Sequence, residues 1–380
     1  LSEHDFRLVD GKKLARGFTT GSCAAGAARA AACLLFTGQE PESIEVKLPE
    51  KGKIKLPLAF LAKKNSDRAE AGIIKDGGDD PDVTTGIEIR AEVSLIPPEK
   101  TAQEKEKIII KGGEGVGRVT RPGLPVEVGE AAINPVPRKM IRENLQKYLP
   151  QAGGLEVTIT VPAGEEIAEK TFNPDLGIEQ GISILGTTGI VEPMSTEAYE
   201  KTIELKIKQL AEAGPKTLIL VPGKMGENFV QQQLGLPGEN IVQCSNYIGH
   251  ALTASCHNDF TELLLVGHLG KLCKVAAGIF QTRNKVADAR AEIMTAYAGL
   301  RGAGKELLEK IFQAKTTTDM AELLWNNGHQ DLFPWLAQRI ATRCQNYCEQ
   351  DINLGVVIYN NQRGLLGEVN LAYYKSKLPG

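Results

Sequence analysis

Four carboxylates crowd into seven residues at Asp76, Asp79, Asp80 and Asp82, within the glycine-rich stretch Asp76-Gly77-Gly78-Asp79-Asp80-Pro81-Asp82-Val83-Thr84. Crowded carboxylates raise one another's pKa, and a raised carboxylate is a usable general base. The spacing does not follow the alternating pattern of a calcium loop. Proton uptake or substrate contact by Asp79, Asp80 and Asp82 therefore ranks above metal binding, and no metal site is expected. A self-capping surface loop is the plainer alternative. The tripeptide Thr-Thr-Gly occurs three times, at Thr19-Thr20-Gly21, Thr84-Thr85-Gly86 and Thr187-Thr188-Gly189. Threonine hydroxyls beside a glycine can bind a ligand's oxygens while the backbone comes close. Each alone reads equally well as an ordinary turn; three together suggest one shared pocket. Arginine pairs carboxylates in bidentate fashion. Arg16, Arg118, Arg121 and the helical pair Arg138 and Arg142, with Lys139 beside them, are the candidates, although a solvated basic face is the commoner fate of such residues. His268 ends an apolar run and is a better functional candidate than His4 or His329, with a structural turn histidine as likely a reading. Lys285 and Asp288 open a predicted helix, where they form a surface ion pair of small consequence or line a cleft.

The first Thr-Thr-Gly leads into the most helix-prone stretch of the chain. Seven of the nine residues from Ala24 to Ala32 are alanine, which predicts a helix over 24–36. Thr19, Thr20 and Ser22 stand where N-caps belong and Gly38 where a C-cap belongs. Residues 11–39 hold Lys12, Lys13, Arg16 and Arg29 but no carboxylate. The positive end of the helix dipole is left without an acidic answer, as at an anion site. The helix body is expected in the core and its start against a ligand.

Further along the first half, alternating segments at 44–48, 54–58, 87–95 and 155–161 read as half-exposed strands. Pro137 is placed to begin a helix running to about Tyr148. The glycine-rich run 112–117 follows an apolar stretch but leads into Arg118-Val119-Thr120-Arg121-Pro122, not into a helix, so it is no dinucleotide fingerprint. The character changes near 190–215. After a helix at 195–213, continuous apolar strands at 216–221, 241–244 and 262–268 alternate with helices at about 226–234 and 247–257. That pattern indicates a parallel sheet covered on both faces. Gly223, Gly226 and Gly267 lie beside the strand ends, where such sheets bind ligands. Residues 285–347 read as mostly helical, with Trp325 and Trp335 in the packing, and 356–359 as a late strand of the same sheet. The fold class is thus α/β and α+β in two domains. An N-terminal α+β domain with a mixed or antiparallel sheet occupies 1–194, and a C-terminal Rossmann-like parallel α/β domain occupies 195–380.

Bulk properties limit the function. The 380 residues carry a net charge of −3 and are 42% hydrophobic, which argues against general nucleic-acid or membrane-surface binding. No apolar run is long enough to span a bilayer, and the charged start shows no signal-peptide core. The seven cysteines show no zinc spacing, so reduced thiols in the cytoplasm are expected.

In several blocks, in order, the chain resembles the cobalt-precorrin-5B C-1-methyltransferases of anaerobic cobalamin biosynthesis. They are GFTTGSCAAGAA at 17–28, DDPDVT at 79–84, INPVPRKMI at 133–141, GISILGTTGIVEPMS at 181–195, CSNYIG at 244–249, LVGHLGKLCKVAAG at 265–278 and KVADAR at 285–290. The resemblance spans nearly the whole chain. One departure is Thr282-Arg283-Asn284, where the family pattern is Thr-His-Ser. The resemblance implies methyl transfer from S-adenosyl-L-methionine to carbon 1 of cobalt-precorrin-5B, giving cobalt-precorrin-6A, with cobalt entering as part of the tetrapyrrole substrate. On it, Asp79, Asp80 and His268 are the candidates for proton uptake or ring orientation. Arg16, Thr19, Thr20, Gly21, Ser22, Asp82, Thr84, Arg118, Arg138, Thr187, Thr188, Gly189, Gly223, Gly226, Asn246, Gly267, Lys285 and Asp288 are the candidates for substrate or cofactor binding. It leaves room for a homo-oligomer and for transient contacts with neighbouring pathway enzymes. Two alternatives are a non-catalytic carrier of the cobalt tetrapyrrole and a phosphate- or nucleotide-dependent enzyme.

Overall fold

The computed structural model describes residues 6–9, 11–50, 52–101, 106–348 and 350–378; the charged N-terminal segment with His4 lies outside them. Two compact units divide the chain, Leu1–Thr196 and Glu197–Gly380.

In the first unit the alanine-rich helix runs Thr20–Thr37. The Thr19 side chain caps it by accepting from the Ser22 N–H. Gly38 ends it in the left-handed region at φ 69, its N–H bonded to Leu34 O. The helix is buried along most of its length. Only small side chains let a helix sit so deep in a core, which it shares with Ile73, Ile89, Val93, Val157 and Ile141.

A five-stranded sheet completes this unit, in the order Phe60–Lys63, Arg68–Ile74, Glu88–Ile96, Gly154–Thr160, Ile108–Gly112. Its pairs are antiparallel except Gly154–Thr160 with Ile108–Gly112. The alternating segments near 44 and 54 form a separate hairpin, Ser43–Lys47 with Lys53–Pro57. The helix expected to begin at Pro137 begins at Pro135 and ends at Leu145, before a 3-10 turn at Gln146–Tyr148. Both prolines fit its first turn, where an N–H has no intrahelical partner to lose.

The second unit has a five-stranded sheet ordered Ile241–Gln243, Thr217–Val221, Glu262–His268, Asn353–Asn360, Gly364–Val369. The first four strands are parallel and the last is antiparallel. Alternate side chains serve two cores. Leu218, Leu220, Leu263, Leu265, Val356 and Ile358 meet helices Ile248–His257, Leu269–Ala276 and Leu332–Cys348. Ile219, Val221, Leu264, Val266, Val357 and Tyr359 meet Phe229, Val230, Leu371 and Tyr374 on the other face. A strand buried on both sides must be apolar throughout, which is why these strands read as unbroken hydrophobic runs.

The helical region after 285 needs one correction. Residues 285–289 are turn and coil, and the first helix there is Arg290–Leu300. Lys285 and Asp288 therefore do not open a helix. Trp325 and Trp335 pack, partly buried, against the first of the two cores.

Candidate functional site

In the first unit, three segments cross in a tight cluster. Gly17–Phe18 pairs antiparallel with Ile190–Val191. The Phe18 N–H donates to Asp76 O at 2.7 Å and the Thr19 N–H to Gly189 O at 3.2 Å. At Gly17 the backbones nearly touch: a Cβ there would lie 2.1 Å from the carbonyl carbon of Gly77. A Cβ on Gly77 would in turn lie 2.2 Å from Thr85 Oγ1. The neighbourhoods of the three Thr-Thr-Gly turns thus lie close together in one unit.

The start of the alanine-rich helix is not open, contrary to expectation. The Gly21 N–H donates to Leu185 O at 2.9 Å, and Thr20 Oγ1 both donates to Leu185 O and accepts from the Leu185 N–H. Ser22 Oγ donates to Gly189 O at 2.6 Å. Thr19, Thr20 and Ser22 are buried. Carbonyl oxygens of the 183–189 segment supply the negative partial charge that the first turn lacks, so these hydroxyls and amides hold the chain's own loop. Gly189 takes part through its carbonyl. Thr187 is exposed, and Thr188 bonds to the backbone of Ile190.

The acidic loop divides in two. Asp82 faces inward: it meets Lys75 Nζ at 2.9 Å, the Thr84 hydroxyl at 2.6 Å and the Thr84 N–H at 2.9 Å. Burial alone would raise this carboxyl's pKa. The Lys75 charge and the bonds from Thr84 outweigh burial and hold it below the usual carboxylate range. Lys75 is only 2% exposed, so it is a buried cation whose partner is Asp82. Asp79 is exposed and Asp80 half-buried, and they use one oxygen each, Asp79 on the Ala15 N–H at 2.6 Å and Asp80 on the Met194 N–H at 2.8 Å. Their other oxygens have no partner among the described residues. Beside them Arg16 Nε lies 2.8 Å from Glu192 Oε1.

The other basic candidates lie apart from this cluster in sequence and differ in role. Arg118 is exposed and donates to Gly129 O at 2.6 Å. Arg138 is a structural clamp: its guanidinium donates to Ile133 O, Ile110 O and Ala131 O, and burial lowers its pKa. Its Nη2 also lies 3.7 Å from Glu130 Oε2, so carbonyls and a carboxylate of the chain itself surround this guanidinium.

In the second unit Gly223, Asn246 and His268 lie at or just past the carboxyl ends of the parallel strands. Gly223 turns the chain after Thr217–Val221 with φ 129, and no atom of the described residues would meet a Cβ there within 4 Å. Gly226 and Gly267 serve packing instead. Gly226 lies inside the helix Lys224–Phe229 against Val221, and a Cβ on Gly267 would sit 2.9 Å from Leu272. His268 caps the helix Leu269–Ala276: its Nδ1 accepts from the Gly270 N–H at 3.1 Å, and burial lowers its pKa. Asn246 accepts the Thr282 N–H at 3.0 Å on its backbone and the Thr282 hydroxyl at 3.3 Å on its side chain. Lys285 is exposed, and Asp288 pairs with Arg290 at 2.7 Å, not with Lys285.

Three further lysines, Lys75 and Lys274 buried and Lys271 half-buried, carry no mark of their environment in the sequence other than position. Lys75 joins the first cluster. Lys271 Nζ donates to Pro222 O at 3.0 Å and Ser245 O at 3.2 Å, and Lys274 Nζ to Asn284 Oδ1 at 2.7 Å and Thr282 O at 3.0 Å. A lysine in sequence reads as surface. The available signal was position: Lys274 interrupts the apolar run Leu272-Cys273-Lys274-Val275-Ala276, and Lys75 follows Gly72-Ile73-Ile74.

Sequence comparison accounts for both units. The profile of the CbiD family matches residues 7–193, and that described as the CbiD C-terminal domain matches 281–370. A cobalt-precorrin-5B C(1)-methyltransferase of Thermoanaerobacter sp. (strain X514) is 42% identical over 365 residues, covering 96% of this chain and 97% of the relative. The protein of the same name from Moorella thermoacetica is 44% identical over 363 residues, covering 95% and 96%. A crystal structure of cobalamin biosynthesis protein (cbiD) from Archaeoglobus fulgidus aligns with 28% identity and a TM-score of 0.40, covering 75% of this chain and 88% of that one. With residues 7–193 and 281–370 matched by the two profiles and nearly its whole length matched by these relatives, the chain belongs to the CbiD family.

Proposed function

We propose that this protein methylates carbon 1 of cobalt-precorrin-5B, giving cobalt-precorrin-6A, with S-adenosyl-L-methionine as methyl donor. The observation that carries the reading is the end-to-end match to relatives named for that reaction. We read the second unit as a Rossmann-like domain, supported by its four parallel strands and by the reversal of chain order beside Thr217–Val221. The donor suits its strand ends, where there is open space beside Gly223 and Lys271 presents a cation. When bound, S-adenosyl-L-methionine supplies a methyl group activated by a sulfonium.

The chain's own part is alignment of two large ligands, the main source of acceleration when reactants must meet in line. Arg118 and Arg16 are the side chains suited to the carboxylate rim of the tetrapyrrole. Asp79 and Asp80, each with one unengaged oxygen, are suited to take a proton from the ring or to orient it. Asp82 is not suited, because its oxygens are held by Lys75 and Thr84. The net charge of −3 supports a small-molecule substrate and no nucleic-acid or membrane partner. Seven unpaired cysteines support a cytoplasmic setting. Association into homo-oligomers and passing contacts with neighbouring pathway enzymes are compatible with this reading.

The test is anaerobic incubation of the protein with cobalt-precorrin-5B and methyl-labelled S-adenosyl-L-methionine. Label on the macrocycle, with a mass increase of one methyl group, is the expected result. Tight tetrapyrrole binding without transfer would make the protein a carrier. Binding of ATP or NAD in place of the donor would make it a nucleotide-dependent enzyme.

A further inference from the structure

We propose that the strand ends of the second unit form a carboxylate-binding site in which the Lys271 ammonium is the receiving cation. The location comes first. In this sheet Thr217–Val221 has Ile241–Gln243 on one side and Glu262–His268 on the other, so chain order reverses there. Crevices outside the carboxyl ends of strands at such a reversal are where open α/β sheets bind ligands. Lys271, in the helix that follows Glu262–His268, reaches across this edge. Its Nζ donates to Pro222 O, just past Thr217–Val221, and to Ser245 O, just past Ile241–Gln243.

The charge comes next. An ammonium has three donors, and two are spent here. Carbonyl oxygens solvate a cation without neutralising it. No carboxylate lies within ion-pair distance of Lys271 among the described residues. One turn along the same helix Lys274, fully buried, is likewise held by a carbonyl and an amide oxygen; Asp288, whose charge acts on it, is bound to Arg290. Two half-solvated cations on one helix are costly to keep unless an anion comes to them. Burial lowers the pKa of both, against the opposing pull of Cys244 on Lys271 and of Asp288 on Lys274.

The backbone adds a third observation. Ser245 is a non-glycine residue at φ 51, in the left-handed region, and its carbonyl is one of the two that hold Lys271. Such strain persists where the surrounding structure has a use for it. The Gly223 turn has open space on its side-chain side, with no atom of the described residues within 4 Å of a Cβ there.

This inference rests on the methyl-transfer reading, because both reactants of that reaction carry carboxylates: the amino-acid part of the donor and the side chains of the tetrapyrrole. Calorimetry on the full chain with S-adenosylhomocysteine and with its decarboxylated analogue, S-adenosyl-3-thiopropylamine, tests the first source. Anaerobic absorbance titration with cobalt-precorrin-5B tests the second. Lys271→Met should weaken one carboxylate ligand by about tenfold or more, the worth of a charge-assisted hydrogen bond. If the donor is the source, S-adenosylhomocysteine loses affinity and the decarboxylated analogue does not. If the tetrapyrrole is the source, only cobalt-precorrin-5B loses affinity. A folded variant that binds all three like the wild type overturns the proposal. Reductive methylation of the wild-type protein, read by mass spectrometry, gives an answer free of any folding defect in the variant. Saturating ligand should protect Lys271 several-fold, and unchanged labelling under both saturated ligands overturns the proposal. Wild-type protein that binds neither reactant removes the methyl-transfer reading, and this inference with it.

Discussion

Protonating His268 would cost the second unit a helix cap. Its Nδ1 accepts the Gly270 N–H, so the neutral ring carries its proton on Nε2. In that form the ring can donate a hydrogen bond, but its basic nitrogen is already engaged, which favours ring orientation over proton uptake, the two roles that the resemblance implies for it. Burial holds its pKa below the ordinary 6.5. The sign follows: the unfolded chain binds a proton that the folded ring resists, so stability from this group is fully present above about pH 6.5 and is lost as pH falls through the folded pKa. His268→Asn keeps a capping side chain and removes the titration. Urea denaturation at pH 7.5 and 5.5 should show the wild type losing more stability than the variant on acidification, by less than about 2 kcal/mol, the upper worth of a cap. An equal or smaller loss in the wild type would mean that the ring does not titrate as a buried cap.

At the scale of elements, the alanine-rich helix shows what could be read in advance and what could not. Its body and both caps follow from local chemistry: alanine propensity, a threonine that accepts an N–H, a glycine at φ 69; its start at Thr20, ahead of the alanine run, does not. The parallel strands of the second unit were legible for a similar reason, since burial on both faces leaves an unbroken apolar run. The short strand Phe60–Lys63 was not, because half-exposed edge residues carry no period to detect. What closes the helix start lies some 160 residues away, at Leu185 and Gly189. No local pattern shows that a distant carbonyl will take the place of a ligand. The same limit hid Lys75, whose burial depends on where Asp82 falls. The crossing of these segments makes a sharp prediction at Gly17. Any Cβ would meet Gly77 backbone at 2.1 Å, with no flexible side chain to give way. Gly17→Ala should destabilise by about 3 kcal/mol or more, at or beyond the upper range for overpacking. Gly38→Ala, at an open cap where only the positive φ resists, should cost about 1 kcal/mol. Similar urea midpoints for the two variants would show that the crossing yields easily and is no rigid anchor for the acidic loop.

For the whole chain, the question is whether the two units are separate folding bodies. Each has a five-stranded sheet of its own, and each hydrophobic core draws its buried residues from one side of the division near residue 196. The second unit has two such cores, one on each face of its sheet, within the size range of independent domains. Its central strands are fully paired: Glu262–His268 has a parallel partner on both sides, and Asn353–Asn360 has one parallel and one antiparallel partner. A fragment spanning 195–380 keeps every strand and helix of that sheet's two layers, so it should unfold in one cooperative transition by circular dichroism. The same fragment should catalyse no methyl transfer, because Asp79, Asp80 and Arg118 lie outside it. A broad, gradual melt would show that the sheet depends on the first unit for its stability. Methyl transfer by the fragment alone would move the chemistry away from the acidic loop and onto the strand ends around Lys271.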